Sequence, residues 1–440
     1  MLLELPYITS YDPITTSEGS LDPLGLYLIA DRLATKLAPG VRERMTQPRY
    51  LTAMALGAHI CHPFYSEYAD DGFTPAYQVY EWHIVEGFVS KYLQNDPDQI
   101  QGLPGIQKAT EALQNHLPLR SSRYLKTANV FGFHGVYRTL STELKVVSED
   151  YIIQEIGHEL LLAWQEEQKL HGVYTGNGAW IDKVKLFRNG VNDSMNKAEV
   201  ARNWYWEVHQ EFASYLRPNT IEKKEAQIIL KALSSEHQPF RKQMIDFLKS
   251  TEGQNAWRNQ RSEKQFMQQF KNTADQELKQ LLEVIDVYEH FARCFQDAFD
   301  SCLHQMSING KANHNELAEI EAIKRASTEL PIVFSKIEEG LAKYDMHHEF
   351  IKQFGDFETK MHPKEWVMQM WIHHNKIQKA KGKVGKRNWF ERSDDGQYRV
   401  YKNNEIHKPV ELSNEYLHNY RAIPLWSFLV NLKVVKDGQS

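Results

Sequence analysis

The run Arg202-Asn203-Trp204-Tyr205-Trp206-Glu207-Val208-His209 sets a guanidinium seven residues ahead of an imidazole, with a polar side chain directly after the arginine. On an α-helix that spacing is close to two turns, so both groups would share a face. There His209 would take the proton from a ribose hydroxyl, and Arg202 would stabilise the phosphorane formed at the adjacent phosphate. A structural role competes for the same residues, with Trp204, Trp206 and Val208 packing one side of a helix.

Other chemistry-bearing residues assemble less well. His347-His348-Glu349, His362 and His373-His374 crowd one span, but adjacent histidines point to different helix faces and no HExxH run is present. His158-Glu159 lacks the second histidine. The ExK pairs Glu143-Lys145 and Glu277-Lys279 sit in helical patterns rather than on a nuclease-type strand, and GxSxG and kinase signatures are absent. The glycine-rich turn HGVYTGNGAW has neither phosphate-cradling spacing. No catalytic residue, no metal ligand and no cofactor is therefore assigned. Cys61, Cys294 and Cys302 are an odd, sparse set, expected as buried thiols in a reducing compartment.

Cations interleaved with aromatics form the candidate binding surface. In KIQKAKGKVGKRNWFER (376–392) seven basic residues stand against one acid, and Trp389, Phe390 and Tyr398 follow closely. Lysines and arginines there would gather phosphates while rings stack on bases. Lys381, Lys383, Lys386 and Arg387 are the contacts expected from this segment. A second set, Arg120, Arg123 and Arg138, alternates with Tyr124, Phe131, Phe133 and Tyr137. Its pattern fits a short helix, a glycine turn and a helix over 134–144, a possible helix-turn-helix presenting Tyr137 and Arg138. Arg42, Arg44 and Arg49 lie between two apolar helices, either as anion contacts or as surface pairs with acids such as Glu43.

These residues need helices to carry them. Asp22-Pro23 and Thr46/Pro48 read as cap-plus-proline starts, and Pro39-Gly40 as a stop. Helices are expected over 76–94, 106–116 and 150–171. From 194 to about 350 long amphipathic helices follow, joined at SINGKANHN. A break at 353–363 leads to a helix starting at Pro363, then a hairpin about Asp395-Gly396. Residues 1–18 read as an extended lead-in without signal-peptide features, and no apolar run is long enough to span a bilayer. The fold class is mainly α and multi-domain, with long antiparallel helices and a small C-terminal β-hairpin. Domains are expected at 1–190 (N-terminal helical), 191–355 (long-helix bundle or arm) and 356–440 (basic segment and hairpin). A net charge of −5 excludes coating nucleic acid through overall charge, though not through a local basic stripe.

Two resemblances add expectations. The Arg202–His209 octet resembles the active-site helix of the HEPN ribonucleases, which implies metal-independent RNA cleavage. The order SLDPLGL-x-x-IADRLA-x-x-LAPGVRER-x-x-x-PRYLTA, with KRNWFE and EYLHNYRAIPLWSFL near the C-terminus, resembles uncharacterised bacterial proteins of phage-defence islands encoded beside helicases and nucleases. That likeness implies a subunit of a multi-protein defence system, working on or near DNA. With no specific catalytic motif and with sparse thiols that fit a reducing cytoplasm, the expected role is a cytoplasmic, non-catalytic adaptor partnered by a helicase or nuclease and contacting DNA. A pure protein scaffold is the further alternative.

Overall fold

The structure, a computed structural model, describes residues 22–126, 128–202, 206–381 and 385–436. The lead-in at 1–18, Lys383 and Trp204 lie outside them. The protein is mainly α, with a three-stranded antiparallel sheet as its β element. No helix among the described residues is long and apolar enough to cross a membrane. Contacts group the chain into two compact units, one holding residues 22–37 and Asn255–Tyr420, the other beginning with Ala38–Gln254 and closing with the C-terminal helix. This partition cuts the chain elsewhere than the composition breaks near 190 and 355, because both units are closed by segments distant in sequence.

In the second unit the helices Arg49–Cys61 and Ala76–Tyr92 are buried on nearly every side. A helix buried all round belongs at the centre of a bundle, and the polar residues of Ala76–Tyr92 there, Glu81, His83 and Glu86, are each met by hydrogen-bond partners. Around the two helices pack Phe133–Glu143, Glu155–Glu167, Ile181–Met195 and Trp206–Tyr215. Pro48 sits at the helix start as expected, but Thr46 makes no side-chain cap, so the proline's fixed φ does the initiating.

In the first unit, Asp22 accepts the Leu26 and Tyr27 N–H groups at 2.8 and 3.2 Å. The helix it opens runs Tyr27–Leu37, later than the sequence suggests, because Gly25 holds φ +73° and breaks the first turn. The core is a pair of long helices. Gln276–Asn309 spans 34 residues, capped by Asp275 on the Leu278 N–H at 2.8 Å and ended by Gly310 at φ +73°. Glu321–Ala342 returns alongside. Lys343 reaches Gln280 at one end, and His290 reaches Glu329 further along, a register that makes the pair antiparallel.

Their close approach at one level requires Gly340, where an added Cβ would stand 2.5 Å from Val284 Cγ2. Gly340→Val should therefore force the helices apart and cost about 1–3 kcal/mol. Urea unfolding checks this, and a variant as stable as the parent would show that the helices can slide.

The helix Pro363–Ala380 starts with a capping box from His362 and Glu365. Its C-terminal end leads into the hairpin of β2 (Phe390–Arg392) and β3 (Gln397–Val400), turned at Gly396. The two-residue β1 (Ala312–Asn313), in the turn between the long helices, adds a third strand to β3. Two residues are too short to show strand periodicity in a sequence.

Candidate nucleic-acid interface

After the Pro363–Ala380 helix, backbone hydrogen bonds hold the described residues around Lys386 and Trp389. Lys386 N–H donates to the Gln378 carbonyl at 2.8 Å, and Trp389 N–H donates to His374 Nε2 at 3.0 Å. With Nε2 accepting, His374 Nδ1–H donates to the Pro23 carbonyl at 2.9 Å, which fixes a neutral ring. Burial lowers its pKa to about 4. The chain then enters the hairpin, where Tyr401 N–H bonds to the Trp389 carbonyl at 2.9 Å.

This scaffold leaves Lys386 and Arg387 exposed. The Arg387 guanidinium lies over the Tyr401 ring at 3.8 Å, and the Tyr401 hydroxyl donates to Glu391 at 2.7 Å. A cation over a partly exposed ring is a fitting surface for a phosphate beside an unstacked base. Tyr401 was not singled out from sequence. The hairpin register carries the signal, since pairing Phe390 with Val400 places Trp389 beside Tyr401.

The other expected contacts are used differently. Lys381 is half-buried, donates to the Asp22 carbonyl, and has its pKa lowered to about 8 by burial. Phe390 and Tyr398 are core residues, Phe390 stacked on His374 at 5.4 Å, so neither ring is available to a base. Long strands of a hairpin would alternate; here one face packs on the long helix, which claims the aromatics.

In the second unit Arg120 and Arg123 both approach Glu199, at 3.9 and 3.6 Å. Arg138 is exposed, donates to the Glu149 carbonyl at 3.2 Å and lies over Tyr151. The helix following the glycine turn exists as Phe133–Glu143, but Tyr137 is buried, its hydroxyl accepting the Gln47 N–H. The N-terminus that a reading helix would offer to bases is also occupied. Buried Glu81 accepts the Phe133 and His134 N–H groups at 2.9 and 3.0 Å, and the Tyr124 hydroxyl at 2.6 Å. Arg49, of the connector arginines, is wholly buried against Glu225 rather than presented to an anion.

Arg202 and His209 are not brought together on one helical face. The described helix carrying His209 is Trp206–Tyr215, and Arg202 lies outside helical structure. Arg202 donates to the Leu117 carbonyl at 2.6 Å and pairs with buried Glu86 at 3.4 Å. His209 is fully buried, with Nδ1 2.8 Å from His83 Nδ1. Ser194 Oγ donates to the Gly190 carbonyl, so it accepts from His83 Nε2–H at 2.8 Å. His83 Nδ1 must then accept from His209 Nδ1–H, and both rings are neutral. Burial holds both pKa values low, that of His83 at about 3. His209 Nε2, the nitrogen left for a base, is enclosed beside Phe187, with no access for a ribose.

Within the histidine-rich span, His373, His374 and Glu349 are taken up by structural contacts. His373 and His374 bond to the Leu24 and Pro23 carbonyls, and Glu349 pairs with Arg32. No protein-family model matches the chain, and searches of curated proteins and of solved structures find no match.

Proposed function

We propose that this chain is a non-catalytic subunit of a bacterial anti-phage defence complex, a cytoplasmic adaptor that contacts DNA beside a helicase or nuclease. The observation that carries the DNA contact is the exposed Lys386–Arg387 pair, with Arg387 over the Tyr401 ring at 3.8 Å. Arg120, Arg123 and Arg138 of the second unit are further candidate contacts, each already engaged by an acid, a carbonyl or a ring. Lys381 and Lys383 precede the main pair in sequence. The defence setting rests on the resemblance of segments 19–62 and the C-terminal run to proteins of phage-defence islands. The ribonuclease reading draws no support from the enclosed His209 ring.

Fluorescence anisotropy with labelled duplex and single-stranded DNA, titrated across salt, tests this. Binding should weaken steeply with salt, because phosphate contacts release counterions. Lys386→Glu with Arg387→Glu should reduce affinity more than tenfold and flatten the salt slope by about two contacts. Salt-independent binding, or binding unchanged by the double substitution, would remove DNA contact. A chain that ignores DNA yet co-purifies with a helicase or nuclease would be a protein scaffold.

A further inference from the structure

His290 and Cys294 are four residues apart on the helix Gln276–Asn309, so both project from one face. Glu329, on the antiparallel helix Glu321–Ala342, meets them at the same level. The three donor atoms converge. His290 Nε2 lies 2.9 Å from Glu329 Oε2, Cys294 Sγ lies 3.5 Å from that oxygen, and Sγ lies 3.8 Å from Nε2.

We propose that His290, Cys294 and Glu329 form a binding site for a divalent zinc ion, with a solvent water completing the coordination.

The triangle of donors has the size such an ion requires. Zinc bonds of about 2.0–2.1 Å to nitrogen, 2.3 Å to sulfur and 2.0–2.2 Å to oxygen at tetrahedral angles separate the donors by about 3.4 Å (N to O) and 3.6 Å (S to N, S to O). The observed S-to-N and S-to-O separations already agree to within about 0.2 Å. Only the His290–Glu329 contact has to open, by about half an ångström, as its hydrogen bond gives way to two metal bonds. The mix of imidazole, thiolate and carboxylate suits zinc over calcium or magnesium, which take oxygen ligands.

The surroundings hold the ligands in place. Arg325, one turn before Glu329, donates from Nε to Oε1 at 3.2 Å and leaves Oε2 facing the other donors. Arg325 is itself anchored to the Ser413 carbonyl and Asn414 Oδ1. Such outer contacts orient a carboxylate ligand. Cys294 is buried while His290 and Glu329 are partly exposed, at 27% and 37% of their side-chain surface, so entry and the water position lie on their side. Three protein donors plus water is the ligand count of sites that activate water, rather than of closed structural ones. On binding, the Cys294 S–H bond breaks, its electron pair goes to the metal and its proton to solvent. The sequence conceals the set because a histidine and cysteine four apart match no common motif, and Glu329 lies 35 residues beyond Cys294.

The test uses the full chain, stripped with chelator and dialysed against Zn2+ alone, then against Co2+. One Zn2+ per chain should bind, and the Co2+ form should show a near-ultraviolet thiolate charge-transfer band with tetrahedral visible bands. Cys294→Ser and His290→Gln should each weaken Zn2+ binding more than tenfold, and Cys294→Ser should abolish the thiolate band. Cys302→Ser, which alters a buried thiol on the same helix, should change neither. Absence of stoichiometric Zn2+, a Co2+ spectrum of the unaltered chain without a thiolate band, or equal affinity in Cys294→Ser would overturn the proposal. The spectrum of the unaltered chain decides the matter even where a variant fails to fold.

Discussion

Replacing Glu225 by alanine is expected to destabilise the protein by about 3–5 kcal/mol, because it strands a buried cation. Arg49 and Glu225 are both fully buried, with Arg49 Nε 3.1 Å from Glu225 Oε1. Thr52 Oγ donates to the same oxygen at 2.6 Å, and Arg49 Nη1 donates to the Tyr215 carbonyl at 2.7 Å. Taking these charges out of water costs several kcal/mol each, which their attraction offsets only while both are present. Burial dominates the titration of both partners, pushing the Glu225 carboxyl up and the Arg49 guanidinium down. With alanine at 225, the guanidinium keeps the Tyr215 carbonyl and loses its counter-charge. Domains are stable by about 5–15 kcal/mol, so the loss takes a large share. Glu225→Gln, which keeps an oxygen for Thr52, should cost less than alanine does. Arg49→Met combined with Glu225→Leu should recover much of the loss, since an apolar pair of similar volume needs no counter-charge. Urea denaturation of the four proteins checks the order. A Glu225→Ala protein within about 1 kcal/mol of the parent would mean that water reaches the guanidinium.

Acid should unfold the protein well before ordinary carboxylates protonate. Burial lowers the pKa of His83 to about 3 and of His59 to about 4, and lowers His209 in the same direction. Their unfolded value is near 6.5. A depressed folded pKa means stabilisation that is complete above pH 6.5 and lost as pH falls towards the folded value. At about pH 5 His83 and His59 each remove roughly 2 kcal/mol, and His209 acts in the same direction. Glu86 acts in the opposite sense. Burial raises its pKa to about 7, so its stabilisation is complete below about 4.5 and fades as pH rises through 7. Buried Glu225 shares that direction. Five histidines, with buried His373 and His374 included, outweigh the four carboxyls that burial raises, Asp297 and Asp300 being the other two. The urea midpoint should therefore fall steadily from pH 6.5 to 4.5. It should fall more steeply in Glu86→Gln, which lacks the compensating proton uptake. Stability that is flat or rising over that range would contradict the neutral, enclosed histidine network.

The sequence by itself determined the helical class, the long paired helices, the Pro39-Gly40 stop, the Pro363 start and the Asp-Gly hairpin. These follow from local rules of periodicity, proline geometry and positive φ, which act within a few residues. Residue type also identified the cations, but not their use. Lys386 and Arg387 remain exposed, whereas Arg49 is buried and Lys381 is tied to a carbonyl. Only packing between distant segments decides whether a charge meets water, an acid or a core. The same holds for the chemistry. Arg202 and His209, a suggestive pair on paper, are claimed by separate partners, Glu86 and the Leu117 carbonyl for the arginine and His83 for the histidine. His290, Cys294 and Glu329, unremarked in the chain, converge because two helices run antiparallel in one register. Spacing along one helix is written in the sequence; the level at which a second helix passes it is set by the whole interface.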